Sequence, residues 1–342
     1  MNQAHIIAVS SGKGGVGKSN VSTNIAIQLS KQGHRVCIFD ADINLSNIPI
    51  LLGLTPKYTL ADLFDSHPLE EIILPGPEGI DIVAGGSGVT QFIKYSSKQQ
   101  NIILDSVKQL TSQYDYIILD TAAGVDNQVL SFLHCAPYLI LILTPEPTSI
   151  TDAYALLKIL NKQHYEHKIL VMVNQVTDLQ MAKNIFNRFN EAVEKYLKFK
   201  VSFIGYLVSD MFIQQSVLAQ QAFSLKYPDS PAGQCMMRIS QRLDQALTKL
   251  NNKTDAFVDY FQNIIEARPL YESELSRVND IMELISLLSE QEQKDLFVCL
   301  GSQYQQKPPL AKTENSKVEQ EKLLPALDKQ HLLSALSIAA KI

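Results

Sequence analysis

The chain has 342 residues, with 30 basic and 35 acidic side chains, a formal charge of −5 and an apolar share of 46%. This length suits one large domain or two modest ones, and the mild acidity argues against a broadly basic surface for nucleic acid. No two of the four cysteines have Cys-x-x-Cys spacing, so a metal ribbon or disulfide scaffold is not expected. There is no secretory-signal pattern and no apolar run long enough to span a bilayer, so we expect a cytoplasmic protein.

Short apolar runs alternate with helical patterns along the first 250 residues. In chain order, the patterns predict a strand at 5–9, a helix at 17–32, strands at 35–39 and 80–83, a helix at 98–111, strands at 116–119 and 138–143, a helix at 149–163, a strand at 169–173, a helix at 178–197, a strand at 203–206 and a helix at 232–250. The strand segments are continuously apolar, which is typical of strands buried on both faces of a parallel sheet. We therefore predict an α/β fold with a doubly wound, mostly parallel sheet flanked by helices.

The composition changes after residue 250. We predict a helical extension at 251–302, a polar linker at 303–322 and a candidate amphipathic helix at 323–342. Three leucines of the last segment, at helical spacing, are candidates for membrane or partner contact: Leu332, Leu333 and Leu336. The segment carries a net charge of only +1, so its attraction to anionic lipid would be weak. Insertion into a membrane and docking on protein both remain open.

A glycine-rich loop carries the strongest chemical signal. Residues 12–19 match G-x-x-x-x-G-K-[ST], after an apolar strand and at the start of a helical pattern. Glycines let the backbone wrap phosphates, and amides at a helix N-terminus point at the anion. We expect Lys18 to neutralise phosphate charge and the Ser19 hydroxyl to bind Mg²⁺. Lys13 is a second lysine within the loop, and either a phosphate contact or a solvated side chain would explain it.

Aspartates follow two of the predicted strands. Asp40 and Asp42 end the strand at 35–39, and Asp120 ends the strand at 116–119. The carboxyl ends of strands in such a sheet meet at the edge where ligands bind. We expect Asp120 to support Mg²⁺ through water, Asp40 to hold Mg²⁺ or the loop, and Asp42 to orient or polarise the attacking water. An aspartate at a strand end often only begins a turn, but finding both sets beside a phosphate loop favours a nucleotide hydrolase.

These segments together resemble the deviant Walker-A ATPases of the MinD/ParA superfamily. The features that carry the resemblance are the loop from Lys13 to Ser19, Asp40-Ala41-Asp42 and Asp120-Thr121-Ala122-Ala123-Gly124. Within the superfamily, segments 42–54, 85–88, 144–155 and 227–232 most resemble the FlhG family, also called FleN or YlxH, of flagellar number regulators. The resemblance covers residues 4–250, and we take 1–250 as the ATPase domain.

The resemblance implies a slow ATPase that uses Mg²⁺ and works as a dimer with ATP between two subunits. It assigns Lys13 to the phosphates of the partner's ATP and makes Asp42 the hydrolytic carboxylate. It makes a four-residue segment the switch that senses the γ-phosphate: Thr121, Ala122, Ala123 and Gly124. It places Asn174 against the adenine, with Asp210 nearby. The nucleotide-binding residues would then be Gly12, Lys13, Gly14, Gly15, Val16, Gly17, Lys18, Ser19, Asn20, Asn174 and Asp210.

The resemblance favours an ATP-dependent dimerisation switch that regulates flagellar number or placement. Its partners would be a second copy of the chain and a flagellar GTPase or transcriptional regulator, with peripheral contact at the inner face of the plasma membrane. Only twelve residues precede Lys13, too few for the N-terminal activator motif usual in the flagellar group. Two alternatives remain, a MinD-like ATPase that places the division site and a nucleotide-binding scaffold with little turnover. A role in DNA segregation is not expected, because no basic patch is visible along the chain.

Overall fold

The computed structural model describes residues 4–41, 47–84, 96–248, 257–259 and 261–263. The chain divides into two compact units, 1–265 and 266–342, and all the described residues belong to the first. The predicted linker and the tail leucines Leu332, Leu333 and Leu336 lie outside the described residues, as does most of the predicted helical extension.

Eight strands form one sheet. Their bounds are β1 (His5–Ser10), β2 (Val36–Asp40), β3 (Ile73–Pro75), β4 (Asp81–Ala84), β5 (Tyr116–Asp120), β6 (Tyr138–Leu143), β7 (Lys168–Val176) and β8 (Val201–Val208). The order across the sheet is β3-β4-β2-β5-β1-β6-β7-β8. Every neighbouring pair is parallel except β3 with β4. The predicted doubly wound, mostly parallel sheet is confirmed.

Helices flank the sheet. Their bounds are α1 (Lys18–Lys31), α2 (Asn47–Leu51), α3 (Leu69–Ile72), α4 (Ser97–Gln113), α5 (Asn127–His134), α6 (Pro147–Lys162), α7 (Leu179–Leu197), α8 (Met211–Leu218), α9 (Phe223–Lys226) and α10 (Pro231–Thr248), with short 3₁₀ turns at Leu60–Asp65 and Pro77–Gly79. Within the described part of the chain, no helix combines the length and apolar character needed to cross a membrane.

Two apolar cores lie on the two faces of the sheet. In β1, Ile6 and Ala8 belong to the first core, whereas Ile7 and Val9 belong to the second. Successive side chains of a strand point to opposite faces, so a strand covered on both sides must be apolar at every position. This is why the strand segments read as continuous apolar runs.

The first core also includes residues beyond the predicted domain boundary at 250. Phe257 and Phe261 are fully buried in it, and the ring of Phe257 meets Phe39 of β2 edge-on at a centroid distance of 5.7 Å. Residues 257–259 and 261–263 are helical, in agreement with the helical pattern predicted there. Phe257 and Phe261, which lie beyond α10 in the chain, therefore contribute to the packing of the sheet.

Short elements were not anticipated by the sequence patterns. They are β3 and helices α2, α3, α5, α8 and α9, none longer than eight residues. A three-residue edge strand that ends at Pro75 is too short to show an alternation of apolar and polar residues. A helix of one or two turns is likewise too short to show an apolar stripe. These elements are stabilised by tertiary packing rather than by local pattern.

Candidate nucleotide site

The phosphate loop and two aspartates meet at one edge of the sheet. β1 ends at Ser10, and the loop that follows leads into α1 at Lys18. In the parallel ladders, Asp120 lies opposite Val9 of β1 and opposite Asp40 of β2. Because parallel strands bring their carboxyl ends to the same edge, this register places both carboxylates beside the start of the loop.

Glycines give the loop its path. Gly15 and Gly17 have φ values of 77° and 93°, in the left-handed region that side chains oppose. Gly12 packs directly on α6, where an added Cβ would lie 2.1 Å from the carbonyl carbon of Asp152. At Gly14 and Gly15, by contrast, a Cβ would meet no atom of the described residues within 4 Å. The loop is thus pressed against the protein at one end and open at its centre, as an anion cradle requires.

The N-terminus of α1 adds hydrogen-bond donors to this cradle. Gly17 precedes the helix and offers no side chain to cap it, and the first turn carries no acidic residue. The first N–H groups of a helix lack partners within the helix and form the positive end of its dipole. Lys18 and Ser19 are the first two helical residues. A helix start with this composition suits a phosphate group.

Asp120 is fully buried next to the loop. Ser22, one turn into α1, donates its hydroxyl proton to Asp120 Oδ1 at 2.8 Å, whereas Asp120 Oδ2 has no hydrogen-bond donor among the described residues. Burial is the main reason why the pKa of Asp120 is raised to about 7; the Ser19 hydroxyl opposes the rise and the Asp40 carboxylate adds to it. A buried carboxylate oxygen without a donor, beside a serine hydroxyl, fits a site for a divalent cation or its water.

Of the other two predicted carboxylates, the structure describes Asp40 but not Asp42. Asp40 is buried at the end of β2, and its Oδ2 accepts a long contact of 3.5 Å from the N–H of Ile48. Asp42 lies outside the described residues. Among the described residues, no three His, Cys, Asp or Glu side chains cluster as ligands for a metal. A cation at this edge would therefore depend on few protein ligands, as Mg²⁺ bound to a nucleotide commonly does.

The predicted switch segment is bonded to β1 and to the loop. Thr121 is buried, and its hydroxyl donates to the carbonyl oxygen of Val9 at 3.0 Å. The N–H of Gly124 donates to the carbonyl oxygen of Ser11 at 3.1 Å. Gly124 has a φ of 104°, while Ala122 and Ala123 complete the turn between the two bonds. The segment is thus bonded to the end of β1 through Thr121 and to the start of the phosphate loop through Gly124.

The residues predicted near the adenine have partners within the protein. Asn174, at the end of β7, donates its side-chain N–H to the carbonyl oxygen of Val16 at 2.8 Å, so it supports the phosphate loop directly. Asp210 accepts from the N–H of Phe212 at 3.0 Å and from the N–H of Ala232 at 3.1 Å. It therefore joins the starts of α8 and α10. Their contact with adenine stays a prediction.

Lys13 contacts its own subunit. Its Nζ donates to a carboxylate oxygen of Glu146 and, at 3.1 Å, to the hydroxyl of Thr148. Glu146 is the residue that precedes α6. Another predicted loop residue, Asn20, is bonded within α1, where its side-chain oxygen accepts from Asn24 at 2.8 Å.

Three residues of this site were not assigned a role from the sequence: Ser22, Glu146 and Thr148. The position of Ser22 could have indicated its role. It lies one turn after Lys18 on the buried face of α1, and a buried serine hydroxyl needs a hydrogen-bond partner. Glu146 and Thr148 lie within the segment that carried the family resemblance, but nothing in the local pattern connects them to Lys13, 133 and 135 residues away.

Comparisons with known proteins agree with this geometry. The family model described as "ParA: NUBPL iron-transfer P-loop NTPase" matches residues 2–244. Antiactivator FleN of Pseudomonas aeruginosa is 36% identical over 245 residues, which cover 71% of this chain and 88% of that protein. Flagellum site-determining protein YlxH of Helicobacter pylori is 32% identical over 253 residues, 73% of this chain and 82% of that protein.

A solved structure supports the fold independently. The septum site-determining protein MinD of Pyrococcus horikoshii, in complex with Mg-ADP, superposes with a TM-score of 0.58 at 23% sequence identity. The match covers 73% of this chain and 99% of MinD. With the phosphate loop, the strand-end aspartates and a family match over most of its length, the chain belongs to the ParA family of P-loop NTPases.

Proposed function

We propose that this protein is an Mg²⁺-dependent ATPase that dimerises when it binds ATP and that regulates the number or placement of flagella. The observation that carries the ATPase proposal is the open phosphate loop at the start of α1, next to Asp120, whose buried Oδ2 has no hydrogen-bond donor in the described part of the chain. The flagellar role is supported by the similarity to FleN, named an antiactivator, and to YlxH, named flagellum site-determining.

Phosphate binding would depend on the loop and on Lys18. The main-chain N–H groups from Gly14 to Ser19 would bind the phosphate oxygens, and the Lys18 ammonium would balance the charge of the β- and γ-phosphates. Asn174 holds the carbonyl oxygen of Val16, which fixes the loop in its open form before the nucleotide arrives. A cradle formed in advance binds its ligand without a further ordering cost.

Ser19 and Asp120 are the residues that would hold Mg²⁺. A bound Mg²⁺ would supply positive charge against the phosphate oxygens. Asp120 must lose its proton to serve, and because its pKa is raised to about 7, cation binding near neutral pH would release a proton from a fraction of the molecules. Ser22 keeps the other carboxylate oxygen in place through its hydrogen bond.

Hydrolysis would add two elements to this binding site. Asp42, two residues beyond the end of β2, is the proposed carboxylate that orients the attacking water. The segment from Thr121 to Gly124 would report the γ-phosphate, because it is already bonded to Val9 at the end of β1 and to Ser11 at the start of the loop. In the dimer, Lys13 would stabilise the phosphates bound to the other subunit.

Replacing Asp42 with alanine tests the catalytic part of this proposal. We expect Asp42→Ala to bind ATP and dimerise as the wild type does but to release phosphate at least about 100-fold more slowly, because water orientation is lost. Phosphate release and sedimentation, each with ATP and with ADP, measure the two properties. Lys18→Ala, which should lose nucleotide binding itself, is the control. Normal turnover in Asp42→Ala would refute the assigned role.

The biological part is tested by deleting the gene. An altered number or position of flagella is expected. Minicells with normal flagella would instead favour a MinD-like role in placing the division site. The third alternative, a nucleotide-binding scaffold, would be indicated if the protein binds ATP and controls flagella but shows no measurable ATP turnover.

We also propose peripheral membrane contact through residues 323–342. Flotation of the full chain with anionic vesicles, with ATP and with ADP, measures it directly. We expect weak, salt-sensitive association that requires ATP, because dimerisation doubles the number of anchors and each segment carries a net charge of only +1. Equal flotation of a triple Leu332→Asp, Leu333→Asp, Leu336→Asp variant would contradict contact through this segment.

A further inference from the structure

We infer that the turn between α7 and β8 is a second membrane-contact surface, which binds the headgroups of anionic phospholipids. We call it the lysine turn and define it by four lysines and one tyrosine around the start of β7 and β8: Lys168, Lys195, Tyr196, Lys198 and Lys200. All of them are exposed except Lys168, which is half-buried. The inference goes beyond the proposed contact through residues 323–342, because it needs neither that segment nor ATP.

The register of the sheet sets two of the lysines side by side. In the parallel ladder of β7 with β8, the residues that directly follow Lys168 and Lys200 are paired, so the two lysines are neighbours across the strands. Neighbouring strands lie about 5 Å apart, and like charges at that distance repel each other. Lys195 lies in the last turn of α7, and Lys198 follows that helix with a φ of 59°. Positive charge is therefore concentrated where α7 ends and β8 begins.

Carboxylates of the protein do not neutralise this charge. Within the described part of the chain, none of the four lysines forms an ion pair. Residues 195–209 contain no acidic side chain, and the acidic residues nearest to the turn in sequence are Glu166, Glu191 and Glu194. At about 100° per residue, Glu191 and Glu194 lie about 140° and 160° around α7 from Tyr196. The turn can therefore attract an anion from outside the chain.

Tyr196 favours a bilayer as that anionic partner. It is 65% exposed, and the Lys195 ammonium lies 5.1 Å from the centre of its ring. Phe199 packs against the first core, which fixes the turn to the sheet. Tyrosine rings are favoured at the headgroup level of a bilayer, where lysines meet lipid phosphates. Four lysines are few for a nucleic acid, which proteins commonly hold through about six to ten phosphate contacts.

The lysine turn is distant from the nucleotide site. Lys168 begins β7, and Asn174, which bonds to the phosphate loop, lies six residues further along the strand. At about 3.3 Å per residue, the two are about 20 Å apart. Substitutions in the turn should therefore leave ATP binding unchanged.

Fluorescence tests the contact directly, because the chain contains no tryptophan. In the nucleotide-free full chain, we expect the emission of Tyr196→Trp to shift to shorter wavelength with vesicles of phosphatidylglycerol and phosphatidylcholine in equal parts. Leu218→Trp, at an 87% exposed position of α8, is the matched control and should keep its emission. Unchanged emission of Tyr196→Trp would overturn the inference. The shift should persist when Leu332, Leu333 and Leu336 are replaced with aspartate, and its loss there would assign the contact to residues 323–342 alone and overturn the inference.

Flotation at low salt tests the contribution of the charges. A triple Lys195→Gln, Lys198→Gln, Lys200→Gln variant should bind the same vesicles about 100-fold more weakly, since each lysine near the surface contributes about fivefold. The matched control removes three exposed lysines from other helices, as Lys31→Gln, Lys98→Gln, Lys108→Gln, and should lose less than about fivefold.

Equal vesicle binding by the two triple variants would overturn the inference. So would the loss of binding to a short DNA duplex in the first variant while its vesicle binding stays intact, because the partner would then be a nucleic acid. Failure of the proposed contact through residues 323–342 would leave the lysine turn standing, because the two are tested with different substitutions.

Discussion

Replacing Gly12 with alanine should push the phosphate loop away from α6. The added Cβ would lie 2.1 Å from the carbonyl carbon of Asp152, 2.4 Å from its oxygen and 2.4 Å from the N–H nitrogen of Ala153. All three are main-chain atoms of a helix, which cannot rotate aside as a side chain would. The backbone on one side must therefore shift by about 1.4 Å, since packed carbon atoms approach no closer than about 3.5 Å without strain.

The size of the effect follows from this geometry. Overpacking of a fixed site costs about 3 kcal/mol at the upper end of the usual range, and a main-chain clash belongs there. For a protein of this size, each kcal/mol lowers the melting temperature by about 2 °C, so we expect a decrease of about 6 °C. Such a shift of the loop would also misplace its N–H groups, and we expect ATP affinity to fall at least about 10-fold.

Thermal unfolding and calorimetric titration with ATP measure both effects. Gly14→Ala is the matched control for stability, because no atom of the described residues lies within 4 Å of its Cβ position, and it should melt within about 1 °C of the wild type. A Gly12→Ala protein with wild-type melting temperature and ATP affinity would refute the close packing of the loop against α6.

Two further predictions concern Asp120. Because the pKa of Asp120 is raised from its ordinary value of 3.8 to about 7 in the folded protein, the folded state holds this proton more tightly than the unfolded state. Stability without ligand should therefore fall as the pH rises from about 4 to 7 and level off above it. Asp120→Asn should lose this pH dependence of stability and be more stable than the wild type at pH 8, while losing Mg²⁺-dependent ATP binding. Urea unfolding at pH 5 and pH 8 measures the free energy of unfolding of both proteins. An identical pH dependence of that free energy in both would contradict the prediction. Ser22→Ala removes the hydrogen bond that the Ser22 hydroxyl donates to Asp120 Oδ1 and should destabilise the protein by about 1–3 kcal/mol at pH 8. The loss should be smaller at pH 5, where Asp120 is protonated, and an equal loss at both pH values would show that the hydroxyl does not act through the carboxylate.

The long strands could be predicted from the sequence because each carries its own local signal. The run Tyr138–Leu143 is apolar at every position, and β6 has those same bounds. β3 carries no such signal, because Ile73 and Leu74 are only partly buried, Pro75 is exposed, and the pairing of β3 with β4 is antiparallel at the edge of the sheet. Such an element forms only when the rest of the sheet offers an edge.

The candidate site divides in the same way. The path of residues 12–19 depends on glycines and on the start of a helix, which are local properties, so the loop was recognised directly. The position of Asp120 beside Ser22 depends on the register between β1, β5 and α1, and no local pattern encodes it. The support that Asn174 gives to Val16 likewise joins residues 158 positions apart.

By itself, the sequence determined the class of sheet, the phosphate loop and the family, because apolar runs and glycine spacing act over a few residues. The tertiary structure decided which groups surround each charge. It left Asp120 Oδ2 without a donor among the described residues, raised the pKa of that carboxyl through burial, and placed Lys13 on Glu146 and Thr148. Desolvation and pairing depend on neighbours that are distant along the chain, and only folding brings them together.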